Sequence, residues 1–181
     1  MIHKILQTGL LVSALAIPGT ALAAIAGSAH DFSGGGGNVC SGCHTPHNAL
    51  ASTSGPLWNA AASNGTYSMY DSPSINMVTD TVPNGVSAAC LSCHDGVLGV
   101  VGAGSGKNLG EDLTNDHPIS IAYDNAADSG FVQLNQLNAG LKLYGNKVEC
   151  ATCHDVHATD VVGKLERNLG GQDICTACHI K

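Results

Sequence analysis

Basic residues and aromatics are scarce in this chain. Its 181 residues include seven Lys and Arg against fourteen Asp and Glu, for a formal net charge of −7. That balance leaves no basic patch to neutralise phosphates and so argues against a nucleic-acid partner. Aromatic residues make up only 4 %, and long amphipathic patterns are equally rare, which argues against a packed helical bundle. No stretch reaches the roughly 18 to 20 consecutive apolar residues that a membrane-spanning helix needs. The chain also lacks any cysteine outside one repeated pentapeptide.

That pentapeptide is Cys-x-x-Cys-His. It occurs as Cys40-Ser41-Gly42-Cys43-His44, Cys90-Leu91-Ser92-Cys93-His94, Cys150-Ala151-Thr152-Cys153-His154 and Cys175-Thr176-Ala177-Cys178-His179. Two thiols three residues apart can reach the two vinyl groups of one porphyrin, and the adjacent imidazole then lies beneath the iron as its proximal ligand. Zinc ribbons and thioredoxin-like redox pairs also use Cys-x-x-Cys. With all eight cysteines in the motif and the histidine always in the same place, the pattern points instead to four covalently attached haem c groups. The expected sites are Cys40, Cys43, Cys90, Cys93, Cys150, Cys153, Cys175 and Cys178 for attachment, with His44, His94, His154 and His179 as proximal iron ligands.

The remaining histidines are His3, His30, His47, His117 and His157. His3 falls in a leader, which leaves one further histidine for each motif and predicts an imidazole on both faces of every iron. Met69 and Met77 are the competing sixth ligands, but methionine is more commonly a gap filler. His47 and His157 each follow a proximal histidine by three residues, so in a helical segment they leave on the same side of the backbone. Neither can reach the opposite face of its own porphyrin, and each is expected to serve another haem. With both faces ligated, the iron has no open position for a substrate, which favours electron transfer over catalysis.

Residues 1–23 read as a secretory signal: His3 and Lys4, an apolar run from Ile5 to Ile17, Pro18-Gly19, then Ala21-Leu22-Ala23 at the cleavage positions, with Ala26 as the alternative. Export to the periplasm or the cell exterior agrees with haem attachment after translocation. Residues 24–38 form a flexible arm that ends in the glycine run Gly34 to Gly37 and leaves His30 free to swing onto a haem, most simply the first or one in an adjacent molecule. Residues 39–181 form one tetrahaem domain. About 40 residues per haem cannot wrap each porphyrin in a conventional domain. The expected fold is therefore a multihaem cytochrome c: loop-rich, with short α-helices and little β, organised around a stack of four haems.

Along the domain, residues 51–83 read as turns and coil, and Trp58, Tyr67 and Tyr70 are expected to pack against porphyrin faces. Val86 to His94 reads as a short helix. Gly102-x-Gly104-x-Gly106 lacks the spacing and context of a phosphate loop. Pro118 biases His117 to extended backbone, with a strand-like piece after it, and His117 is the expected sixth ligand of an internal haem. Val132 to Leu143 is compatible with one short helix, followed by a turn at Gly145-Asn146. The third and fourth motifs are the closest neighbours in sequence and predict a coupled haem pair. Only Ile180 and Lys181 follow His179.

Several segments together resemble the small multihaem cytochromes exported by metal-reducing bacteria. They are Ser28-Ala29-His30-Asp31-Phe32-Ser33, His44-Thr45-Pro46-His47-Asn48, Pro56-Leu57-Trp58-Asn59, His94-Asp95-Gly96, Asp116-His117-Pro118-Ile119-Ser120 and His154-Asp155-Val156-His157. The chain is most similar to the tetrahaem outer-surface cytochromes that polymerise into extracellular filaments, the outer-membrane cytochrome E type. The resemblance implies bis-histidine iron throughout, alternating parallel-stacked and T-shaped haem pairs, and one sixth ligand given across a subunit boundary. Carried to this chain, it makes a homopolymer in which His47 reaches a neighbouring copy, with the haem of His179 as receiver and other multihaem cytochromes as partners. A monomeric periplasmic shuttle and a multihaem reductase are the alternatives. Bis-histidine ligation predicts a resting ferric absorption and resonance spectrum that is wholly low-spin. A high-spin component would mean an open iron and would favour the reductase.

Overall fold

The computed structural model describes residues 25–34, 37–49, 57–102, 104–158 and 166–180. Residues 1–24, 35–36, 50–56, 103, 159–165 and 181 lie outside them, and with them the expected secretory signal. Helix α1 spans Gly85–His94, strand β1 Ile121–Ala122, strand β2 Lys147–Val148 and helix α2 Cys150–Cys153. A single 3-10 turn covers Leu134–Gln136. Turns and extended connections make up the rest of the described chain, so the protein is loop-rich with few helices and little strand.

Local chemistry sets the bounds of α1. Gly85 enters with φ +53, a left-handed conformation that glycine adopts without the Cβ clash. Asn84 sits at the N-cap but sends its side-chain amide to Asp80 rather than to the helix. The helix stops at Asp95, whose N–H donates to the Leu91 carbonyl at 3.1 Å, and Gly96 follows with φ +78. A Cβ on Gly96 would overlap the Asn108 side chain, so both the angle and the space there call for glycine. Helix α2 is one turn, held by a capping box in which the Glu149 N–H donates to Thr152 Oγ1 at 2.9 Å and the Glu149 carboxylate accepts the Thr152 N–H.

β1 and β2 pair antiparallel, Ile121 opposite Val148 and Ala122 opposite Lys147. Residues 78–80 line the other edge of β1, where the Ala122 N–H donates to Val78 and the Asp80 N–H to Ser120. Ile121, Tyr123 and Val148 form a small apolar core, against which Ile75, Met77, Phe131, Leu137, Leu143 and Cys178 pack. α1 and α2 pack on one another beside it, so the second and third Cys-x-x-Cys-His motifs are neighbours.

The helix expected over Val132–Leu143 does not form. The Val132 N–H is committed to the Cys178 carbonyl at 2.8 Å, and Gln133 and Leu137, either side of the 3-10 turn, have extended ψ of 140 and 144. Asn138 then closes a side-chain turn onto the Gly140 N–H at 2.8 Å. Tertiary pairing and turn chemistry outweigh the apolar spacing. Gly145 and Asn146, by contrast, make their turn with φ +60 and +61. Leu91 is completely buried in α1, so Leu91→Ala should lower the unfolding free energy by about 2–5 kcal/mol, measured by denaturant titration of the intact protein.

Candidate haem-binding centres

Every Cys-x-x-Cys-His motif folds as a helical turn. The histidine N–H donates to the carbonyl of the first cysteine in the first, third and fourth motifs, His44 to Cys40 at 2.8 Å, His154 to Cys150 at 3.0 Å and His179 to Cys175 at 2.9 Å. The second motif lies within α1. A helical turn puts residues three apart on one face, which directs both thiols of a motif to the same side.

A remote segment then pins each turn. The carbonyl of the second cysteine accepts a distant N–H in three motifs, Cys43 from Asn59, Cys153 from Arg167 and Cys178 from Val132, each at 2.8 Å. In the second motif the His94 carbonyl accepts the Leu109 N–H at 2.7 Å. Sequence reading missed these fasteners. The most elaborate is Arg167, whose Nε donates to the Ala151 carbonyl at 2.8 Å, Nη1 to Asp155 Oδ2 at 2.8 Å and Nη2 to Tyr144 Oη at 3.1 Å. Asp95, next to His94, is fastened in the same spirit. Burial works against its charge, but the Ser63 and Tyr67 hydroxyls and the Val97 N–H outweigh it and hold the carboxyl below the usual carboxylate range.

Consecutive motifs lie side by side. Burial raises the Cys43 thiol pKa and the Cys93 thiol adds to it. The Cys90 thiol is raised well above its ordinary value, chiefly by a hydrogen bond to Cys150. Burial also raises Cys153 and Cys178, with Cys175 contributing to both. The thiols thus run first motif to second, second to third, third to fourth. All eight cysteines are unbridged. Among the described residues no group of three or more His, Cys, Asp or Glu is gathered closely enough to hold a metal ion.

The histidines come together in pairs. His30 faces His94 with ring centroids 6.0 Å apart, His157 faces His44 at 6.2 Å, and His117 faces His179 at 6.3 Å. An iron–nitrogen bond of about 2 Å plus roughly 1 Å from nitrogen to ring centre, taken on both sides of one iron, puts two axial imidazoles about 6 Å apart. The residues therefore fit haem iron at three positions. Two rings are also turned for it: His94 Nδ1 lies 2.8 Å from the Lys107 carbonyl and His117 Nδ1 3.0 Å from the Pro118 carbonyl. Each Nδ1 can donate there, which leaves Nε2 as the ligating nitrogen. Burial, then the His94 ring and Lys107, hold the His30 pKa below the ordinary imidazole value and favour the neutral, ligating form.

These pairs revise three sequence expectations. His30 lies beside His94 of the second motif, not beside the first. His117 lies beside His179, so it goes to the C-terminal motif and not to an internal one. A ring of the same chain thus already lies beside His179, which removes the reason for assigning His47 to it. His47 is exposed, and among the described residues its ring meets no other ring. Neighbouring aromatics take two of the proximal rings: Trp58 meets His44 edge-on at 6.1 Å, and Phe131 lies 4.5 Å from His179. The Trp58 indole N–H is buried with no hydrogen-bond partner among the described residues.

Residues 145–181 match a protein-family profile described as a doubled CXXCH motif. The match covers the third and fourth motifs. No curated protein matches the chain. The doubled motif is a haem c and iron-binding signature, and with the loop-rich fold it fits a multihaem c-type cytochrome, a class concerned with electron transfer. No helix among the described residues is long and apolar enough to cross a membrane. The Arg167 fork supports the third motif, so Arg167→Lys, which keeps the charge but not the fork, should destabilise the protein by about 1–3 kcal/mol in denaturant unfolding.

Proposed function

We propose that this chain is an exported electron-transfer protein carrying four bis-histidine haem c groups, one at each motif, and that it works as the subunit of an extracellular filament for respiration to external acceptors. Haem, when bound, supplies reversible one-electron chemistry at iron. The observation that carries the reading is the spacing of three imidazole pairs, His30 with His94, His157 with His44 and His117 with His179, at 6.0 to 6.3 Å.

The chain's own residues have separable tasks. The cysteine pairs fasten each porphyrin, the proximal histidines hold one face of each iron, and the distal histidines close the other face against water and small substrates. Closure of both faces favours conduction over catalysis. The Cys90–Cys150 hydrogen bond, and the electrostatic influence of Cys93 on Cys43 and of Cys175 on Cys153, support a continuous row of closely spaced centres. His47, exposed and outside the three pairs, is the donor offered to a neighbouring copy.

Single distal substitutions test the assignment. His30→Ala, His157→Ala or His117→Ala should each convert one haem of the holoprotein to a high-spin form that binds carbon monoxide and leave the others low-spin. His47→Ala should do so only by breaking filaments into single chains. Electron microscopy of the native holoprotein should show regular filaments. Discrete particles of one-chain size, low-spin throughout, would instead mean a monomeric shuttle and return His47 to its own chain.

A further inference from the structure

Neither attachment nor ligation uses Glu149, yet it is enclosed between the two helices that carry the second and third motifs. It is 2 % exposed. Its Oε2 accepts the Ser87 hydroxyl from α1 and the Ser120 hydroxyl, at 3.0 Å, from the residue before β1. Ser87 Oγ in turn accepts the Cys150 N–H at 2.9 Å. The carboxyl group is thus tied at once to the attachment segments of the second and third motifs.

Its charge is incompletely answered. The titratable and charged groups facing it are Cys90 on α1, Cys150 on α2 and Lys147 on β2. Once bound as thioethers, the two cysteines carry no charge. Lys147 is shared, because its Nζ lies 2.5 Å from Asp80 Oδ2. Burial raises the Glu149 pKa above its ordinary 4.5, and the serine hydroxyls and Lys147 only partly offset that. A carboxylate in this position responds to any added negative charge nearby by binding a proton, and the coupling is reciprocal.

We propose that Glu149 is a redox-linked proton site: it takes one proton from solvent when one electron reduces ferric to ferrous iron at the second or third motif, and releases that proton when the electron leaves. The electron comes from the upstream protein donor or a chemical reductant, and the charge of the iron–carboxyl pair is the same before and after. The inference rests on haem being bound at those motifs. It adds proton movement to a chain otherwise read as moving electrons alone.

The sign of the pH effect follows from the raised pKa. In the window above pH 4.5 in which Glu149 gives up its proton, the oxidised protein loses it before the reduced protein does. The potential of the linked haem therefore falls as pH rises through that window.

The test is a spectroelectrochemical titration of the holoprotein at several pH values, unmodified and as Glu149→Gln, which keeps the shape and the hydrogen-bond acceptor but cannot ionise. Porphyrin propionates titrate in both and cancel in the comparison. The unmodified protein should show a pH-dependent midpoint for at least one haem, and Glu149→Gln should remove at least half of that dependence with haem content and low-spin spectrum unchanged. Equal pH dependence in both would overturn the proposal, since a purely structural Glu149 would leave the slope alone. Should the variant fail to load haem, redox-difference infrared spectroscopy of the unmodified protein with 13C-glutamate gives the answer. Glu111 and Glu166 are exposed, so a labelled buried carboxylic acid band gained on reduction belongs to Glu149, and its absence overturns the proposal. Failure of the unmodified protein to contain reducible haem would instead sink the electron-transfer reading itself.

Discussion

One helical turn, repeated at each Cys-x-x-Cys-His, is the constraint on which the rest of this structure depends. The turn must hold two thiols on one face with an imidazole next to them, and a lone turn is a poor helix because nucleation costs more than one hydrogen bond returns. The chain answers by crossing each turn with a distant segment. Asn59, Val132 and Arg167 donate to the carbonyls of Cys43, Cys178 and Cys153, and Leu109 to that of His94. Long connections are therefore the fasteners of the motifs, and their path sets which motifs and which histidines become neighbours.

The polypeptide contributes little apolar core of its own. Ile121, Tyr123 and Val148 are the heart of it, and several of the most deeply buried side chains are polar: Ser87, Ser92, Ser120, Glu149 and Thr152. These satisfy one another and the ends of α1 and α2, as buried polar groups must. On the haem reading, porphyrin bodies provide the apolar mass that the chain lacks. The same reading explains why so few aromatic residues suffice, and why Trp58 and Phe131 lie against proximal histidines.

What could be read from sequence was what local chemistry decides. The short helix ending at His94 and the turn at Gly145-Asn146 both follow from residue type and local pattern. Local pattern failed at Val132 to Leu143, where a commitment to Cys178 and the Asn138 turn overrode apolar spacing. The histidine pairing was out of reach for a related reason. Which distal ring meets which proximal ring depends on how the loops cross, and nothing near His30 or His117 in sequence marks His94 or His179 as a partner. Arg167 was equally silent, since a single arginine has no spacing to betray its three hydrogen bonds.

The central claim is that each of the four turns is built to fasten a porphyrin. Intact-mass measurement of the mature holoprotein, combined with titration of free thiols, tests it most directly. The account predicts four haem-sized mass increments per chain and no titratable thiol. Fewer increments, with a matching pair of reactive thiols for each one missing, would contradict it.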